Sequence, residues 1–165
     1  MTTQLRRHTA AVIGRLGGRV LRTRAVMRLP IRLYQARLGF LFGHRLLMLE
    51  HVGRRSGARR HVVLEVIDHP TSDTYVVASG FGRRAQWFRN ILAEPRVRVS
   101  SGRGNQAAAT ARVLTAAEAD AALGAYQRRH HRAWNIFKPV IENTLGSAVE
   151  EHETQLPMVE LRLST

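Results

Sequence analysis

Leu46-Leu-Met-Leu-Glu-His-Val52 runs into Gly53-Arg-Arg-Ser-Gly-Ala-Arg-Arg60 and then into His61-Val-Val-Leu-Glu-Val-Ile-Asp68. The outer stretches are short and rich in Val, Leu and Ile, and the middle one is broken by glycine and serine. This is the pattern of strand, turn and strand. His69–Asp73 contains Pro70 and reads as a hairpin loop, with a third strand over Thr74–Ser79. Val97–Ser101 and Ala107–Leu114 flank a Gly-Arg-Gly-Asn turn and read as two more strands. Met158–Leu163 alternates apolar and polar residues and reads as a closing strand. Five or six short strands without repeated βαβ alternation argue against a doubly wound sheet. The expected fold class is α+β or mainly β: a small barrel of about six strands with peripheral helices.

The helices lie outside this framework. Gly80 and Gly82 form a turn, and Ala85–Ala93 reads as a short helix that stops before Pro95. Trp87 with Ile91, and Phe88 with Leu92, fall four residues apart and suggest its core face. Thr115 followed by Glu118 is a capping-box pattern that opens a helix running to about Arg129. A last helix is expected over His131–Leu145. Upstream, Pro30 suits the first turn of a helix over Ile31–Phe42, with Gly43 as its stop. Arginines alternate with Val, Leu and Ile at helix-compatible spacing from Val12 to Val26. The chain therefore divides into a basic helical extension, residues 1–28, and a barrel domain, residues 29–165.

The 165 residues suffice for one domain with a real core. The absence of cysteine excludes disulfides, thiolate metal sites and a cysteine nucleophile, and a cytoplasmic protein is expected. No stretch reads as a transmembrane helix or a signal peptide. Charge is the unusual feature. The formal net charge is +14, from 26 basic and 12 acidic residues. Such an excess attracts polyanions: nucleic acid, anionic lipid or a phosphate-bearing ligand. The ten arginines that precede the first acidic residue, Glu50, are compatible with contact between residues 1–45 and an anionic membrane surface. The plainer reading is a helix packed on the barrel, or a mobile tail.

Three segments can carry chemistry. The Gly53–Arg60 turn holds Arg54, Arg55, Arg59 and Arg60. Glycines permit close backbone approach, and guanidinium forks bind phosphate and carboxylate in bidentate fashion. A solvated basic hairpin is the competing reading. Ala78-Ser79-Gly80-Phe81-Gly82 leads into a helix start, which favours anions, although its aromatic residues also suit a core face. Spacings of four and eight place Tyr126, His130 and Trp134 along one helix face, where they can wall a pocket or pack on the barrel. The eight histidines show no metal-ligand spacing, so no metal is expected.

Together these segments resemble the deazaflavin (coenzyme F420)-dependent nitroreductase family, actinobacterial-type split β-barrel oxidoreductases of FMN-binding-like fold. The match is carried by His51–Gly57 with Arg60, by Tyr75–Gly80, and by Trp87–Val97. The resemblance implies that Arg54, Arg55, Ser56, Gly57 and Arg60 hold the coenzyme's phosphate and acidic tail. It implies that Ala78, Ser79 and Gly80 lie beside the deazaflavin ring, and that Trp87 and Asn90 border the cofactor. Glu65 stands where the best-known nitroreductases carry an aromatic residue, and Tyr126 and Trp134 are what remains of their tyrosine-rich substrate wall. The implied activity is hydride transfer from reduced deazaflavin to a small electron-poor acceptor: a quinone, enone or nitro compound. Ser79, Tyr126 and His130 are the candidate proton or hydrogen-bond donors. A homodimer is compatible with a barrel of this type. The rival readings are a flavin or haem binder on the same barrel, and a non-enzymatic polyanion-binding module. The latter lacks any recognisable nucleic-acid motif, so no specific nucleic-acid partner is expected.

Overall fold

A computed structural model describes residues 44–102, 104–149 and 154–164. The helices expected over Val12–Val26 and Ile31–Phe42, and the segment read as a membrane contact up to residue 43, fall outside the described residues.

Six strands form a closed barrel: β1 (Leu46–Val52), β2 (Arg59–Thr71), β3 (Thr74–Ala78), β4 (Arg96–Ser101), β5 (Gly104–Val113) and β6 (Met158–Leu163). Their order around the barrel is β1-β2-β3-β6-β5-β4, β4 pairs back onto β1, and all neighbours are antiparallel. Closure leaves no free sheet edge. Alternation sets the two faces. Leu47 and Leu49 of β1, Leu64 of β2, Val77 of β3, Val97 and Val99 of β4, Ala109 and Ala111 of β5, and Val159 and Leu161 of β6 point inward. A helix, α1 (Gln86–Ala93), completes this core with Trp87, Phe88 and Ile91. Burying each such side chain contributes roughly 1.5–3 kcal/mol. Leu92, expected on the core face, is 57% exposed. The helix instead turns the polar Asn90 inward.

A second core forms outside the barrel. Ile67 of β2, Val76 of β3 and Met158 of β6 pack against Leu123 and Tyr126 of α2 (Ala116–Arg129) and Trp134 of α3 (His131–Leu145). The capping box that starts α2 is present: Thr115 Oγ1 accepts from Glu118 N at 3.3 Å, and Thr115 N donates to Glu118 Oε2 at 2.8 Å. The helix pair is not one straight rod. His130 has φ −130° and ψ 39° at the junction. The backbone bonds His130 N to Tyr126 O and Trp134 N to His130 O nevertheless carry the spacing across it.

Two strand limits differ from the sequence reading by three residues. The predicted loop His69–Asp73 is mostly strand, because β2 continues through Pro70 to Thr71. Register shifts interrupt the β2–β3 ladder between Val66 and Asp68 and again between Asp68 and Thr71. A proline that cannot donate is tolerated at such an irregularity. Asp73, accepting from the hydroxyls of Thr71 and Thr74, makes the tight turn that remains. β5 begins at Gly104 rather than Ala107. Gln106, at φ 52°, is absorbed as a bulge whose amide donates to Ser100 Oγ at 2.9 Å.

Candidate cofactor and acceptor site

The arginine turn is rigid for reasons visible in its sequence. Gly53 N donates to Ala58 O at 2.8 Å, and Gly57 N donates back to Gly53 O at 2.7 Å. Gly57 sits at φ +65°, where other residues are strained. A Cβ on Gly53 would lie 2.8 Å from Ser56 Oγ and 3.0 Å from Arg60 Nε, so a side chain there would have to displace both. Ser56 Oγ accepts from Ala58 N and so holds the turn. Arg55, Arg59 and Arg60 are exposed.

Arg54 is pinned. Its backbone N–H and Nη1 donate to Asn90 Oδ1 at 3.2 and 2.9 Å, and Nη1 also donates to Gln86 Oε1 at 3.0 Å. Asn90 is 3% exposed, and its Nδ2 donates to His51 Nδ1 at 3.1 Å. The carboxamide oxygen is committed to Arg54, so the amide faces His51, whose Nδ1 must be an acceptor. His51 is therefore neutral with its proton on Nε2. Its pKa is lowered to about 4, first by burial and then by the charge of His61. Arg54 in turn is pushed below the usual guanidinium range by desolvation and by the positive charges of Arg89 and Arg55. The strain between these like charges is what an anion would relieve.

Ala78, Ser79 and Gly80 close β3 and start the turn into α1. Ser79 is fully buried. Its hydroxyl donates to Gly82 O at 2.8 Å and its amide to Pro157 O at 2.8 Å. Its proton is thus committed to the turn. The candidate donor is, in this geometry, a structural hydroxyl. Gly82 sits at φ +64°, and a Cβ there would meet Leu145 Cδ2 of α3 at 2.9 Å. Gly82→Ala should therefore cost about 1–2 kcal/mol. Urea unfolding checks this, and an unchanged midpoint would contradict it.

The third group converges on the outer face of β2. Tyr126 OH donates to Glu65 Oε1 at 2.7 Å, and Arg45 Nη2 lies 3.5 Å from the same oxygen. Burial, then the bond and charge of Glu65, raise the Tyr126 phenol above its ordinary range, so it stays protonated. Its proton is also committed. Trp134 meets Tyr126 edge to face at 6.4 Å between ring centres, but it is buried in the second core and backs the tyrosine. His130 is exposed, with its ring 5.2 Å from that of Tyr126. Glu65, Tyr126 and His130 border a cavity of about 240 Å³ together with Arg45, Asp68 and Arg129. One register step beyond the Val66–Val77 pair, Glu65 stands beside Ala78. The acceptor-wall residues and the segment read as ring-binding thus share one region.

Trp87, expected to border a cofactor, is 7% exposed and packs in the barrel core. Sequence reasoning missed His51, Gln86 and Arg89. A signal for His51 existed, since it continues the inward alternation of Leu47 and Leu49.

Comparison with known proteins adds the following. The profile of the F420H(2)-dependent quinone reductase family matches residues 22–143. No curated protein matches the sequence. An F420-H2 dependent reductase, FDR-A, is similar at a TM-score of 0.51 and 17% identity, over 73% of this chain and 96% of its own. A structure described as a domain-swapped dimer is similar at 0.52 and 16%, over 80% and 96%. A protein of unknown function from Agrobacterium tumefaciens is similar at 0.54 and 15%, over 84% and 56%. At these identities the structures establish the shared fold. The family match reaches further, because it takes in both the arginine turn and the Glu65–Tyr126 cavity: the chain belongs to the F420H(2)-dependent quinone reductase family and is a reductase that uses coenzyme F420.

Proposed function

We propose that the protein reduces quinones and related electron-poor acceptors, with the coenzyme's anionic part held at the Gly53–Arg60 turn. The observation that carries this reading is the pinning of Arg54 to Asn90 and Gln86, which fixes one guanidinium at the start of the arginine turn. The donor set fits the coenzyme. Guanidinium forks suit a phosphodiester and carboxylates, and the turn leaves Arg55 and Arg60 facing solvent. When bound, reduced coenzyme F420 supplies a hydride.

The residues of the chain do the rest. Arg54, Arg55 and Arg60, with the Ser56–Gly57 backbone, bind and orient the anionic part. Asn90 positions Arg54, and Trp87 supports α1 from the core. Ala78, Ser79 and Gly80 border the ring through their backbone. The acceptor occupies the cavity beside Glu65 and Tyr126, with Trp134 stiffening its wall. The acceptor takes up a hydride and one proton. His130, the one of the three proposed donors whose side-chain proton is not already committed, gives that proton and recovers it from solvent. Residues 29–165 form the catalytic unit, and residues 1–28 are an appended basic segment.

The test is anaerobic reoxidation of the reduced coenzyme with a naphthoquinone, an enone and a nitroimidazole. The quinone should turn over fastest. His130→Ala should lower kcat about tenfold, below the usual general-acid range because solvent competes, with Kd for the coenzyme unchanged. A protein that binds the coenzyme but reduces none of the three would overturn this reading.

A further inference from the structure

Glu65 and Asp68 are three residues apart on β2, a separation that ordinarily sends strand side chains to opposite faces. The register shift between Val66 and Asp68 changes this, because it adds one residue to β2 opposite Val76 and Val77. Val66 packs against the barrel core, and Ile67 packs in the core outside it. Asp68 then faces outward as Glu65 does, and both line the cavity of about 240 Å³ beside Tyr126. The bulge thus sets two carboxylates on one wall.

Each carboxylate is engaged through one oxygen. Glu65 Oε1 accepts from Tyr126 OH at 2.7 Å and lies 3.5 Å from Arg45 Nη2. Asp68 Oδ1 accepts from Arg129 Nη2 at 2.7 Å and from His69 N at 2.9 Å. Glu65 Oε2 and Asp68 Oδ2 receive no hydrogen bond among the described residues. Among those residues the one buried side-chain polar atom without a partner is Ser101 Oγ, so the two carboxylate oxygens are open rather than sealed in. The side chains of Glu65 and Asp68 are 26% and 22% exposed, against 64% and 51% for Arg45 and Arg129. The guanidinium groups therefore turn their spare N–H groups to water, while the carboxylates keep spare lone pairs for an occupant. Arg45 and Arg129 balance the two negative charges, so the wall suits a neutral hydrogen-bond donor rather than a cation.

We propose that Glu65 selects acceptors that carry a hydroxyl group beside the reducible ring, with that hydroxyl donating to Glu65 Oε2. This rests on the reading of the cavity as the acceptor site. The bond from Tyr126 fixes the carboxylate, and Asp68 Oδ2 extends the same polarity along the wall. An acceptor without a donor strips water from Oε2 and returns no hydrogen bond for it. The carboxylate is partly solvated, so the discrimination is expected at the low end for a charge-assisted bond, about tenfold in kcat/KM. The bond is the same before and during hydride transfer, so it acts on KM and leaves kcat unchanged.

The test compares a hydroxymethyl naphthoquinone with its methyl ether, which has the same ring but no donor, under anaerobic turnover with the reduced coenzyme. The wild-type protein should favour the alcohol about tenfold in kcat/KM, through KM. Glu65→Gln keeps an oxygen for Tyr126 and turns an amide N–H to the cavity, so the ratio should fall to about one and the ether should improve. Tryptophan quenching by the two quinones, with Trp134 edge to face with Tyr126, should show the same ratio in Kd without turnover. The chain has no cysteine for a quinone to alkylate. Equal constants for alcohol and ether in the wild type, or a preference that survives Glu65→Gln, would overturn the role of Glu65 while leaving quinone reduction intact. Reduction of neither quinone by the coenzyme-loaded protein would overturn the acceptor reading and this selection together.

Discussion

Between pH 6.5 and about pH 4 the protein should lose on the order of 2–3 kcal/mol of stability through His51 alone. The ring is 4% exposed, and its Nδ1 accepts from Asn90 Nδ2. Protonating Nδ1 would set a donor against a donor inside the barrel mouth. Arg60 and His61 add like charge nearby, and only the Val52 backbone and Glu50 favour the cation. The folded pKa therefore lies below the unfolded one. In the window between them the unfolded chain binds the extra proton, so stability rises with pH. The contribution is complete above pH 6.5, is lost as pH falls towards 4, and does not grow further below that. His51→Gln keeps an acceptor for Asn90 without a titrating group, so it should flatten the profile. Glu94 and Glu118, held at about 2 by Arg96 and Arg112, lose their contributions only below about 4.5, so the two windows separate. Urea unfolding of both proteins across this range provides the check. Equal slopes between pH 6.5 and 4.5 would remove His51 from the account.

Arg55→Ala/Arg60→Ala should raise Kd for coenzyme F420 at least about tenfold. Both side chains are exposed, and neither closes the turn by its own hydrogen bonds, so folding should be little affected. What is lost is charge at the cradle. Exposed charge-assisted contacts are screened over about 8–10 Å at physiological salt, so the gap between variant and wild type should narrow as salt rises. An unchanged Kd at low salt would refute the assignment of the cradle. A loss that is indifferent to salt would mean that the two arginines act by shaping the turn.

The sequence makes the barrel legible because burial has period two along each strand and because the capping box of Thr115 and Glu118 is local. It misplaces Pro70, whose tolerance depends on bulges set by the partner strand β3. It also misplaces Leu92. The inward polar residue of α1 is Asn90, which has a partner 39 residues away in His51. The arginine turn can be read from composition and glycine spacing. Its anchoring cannot, since Gln86 and Asn90 reach Arg54 only after the barrel closes. The same limit governs the proposed donors. Ser79 and Tyr126 look available in the sequence, yet the structure commits their protons to Gly82 O and Glu65. The cluster of Tyr126, His130 and Trp134 does form, across the junction of the two helices that the sequence also separates near residue 130.

The most direct test of the central claim is a fluorescence titration of the full chain with oxidised coenzyme F420, run beside FMN at moderate salt. Trp87, three residues before Asn90 in α1, serves as a reporter near the cradle. Saturable binding of the deazaflavin at micromolar or lower concentration, without saturation by FMN, is the result predicted here. Saturation by FMN alone, or by neither ligand, would contradict it.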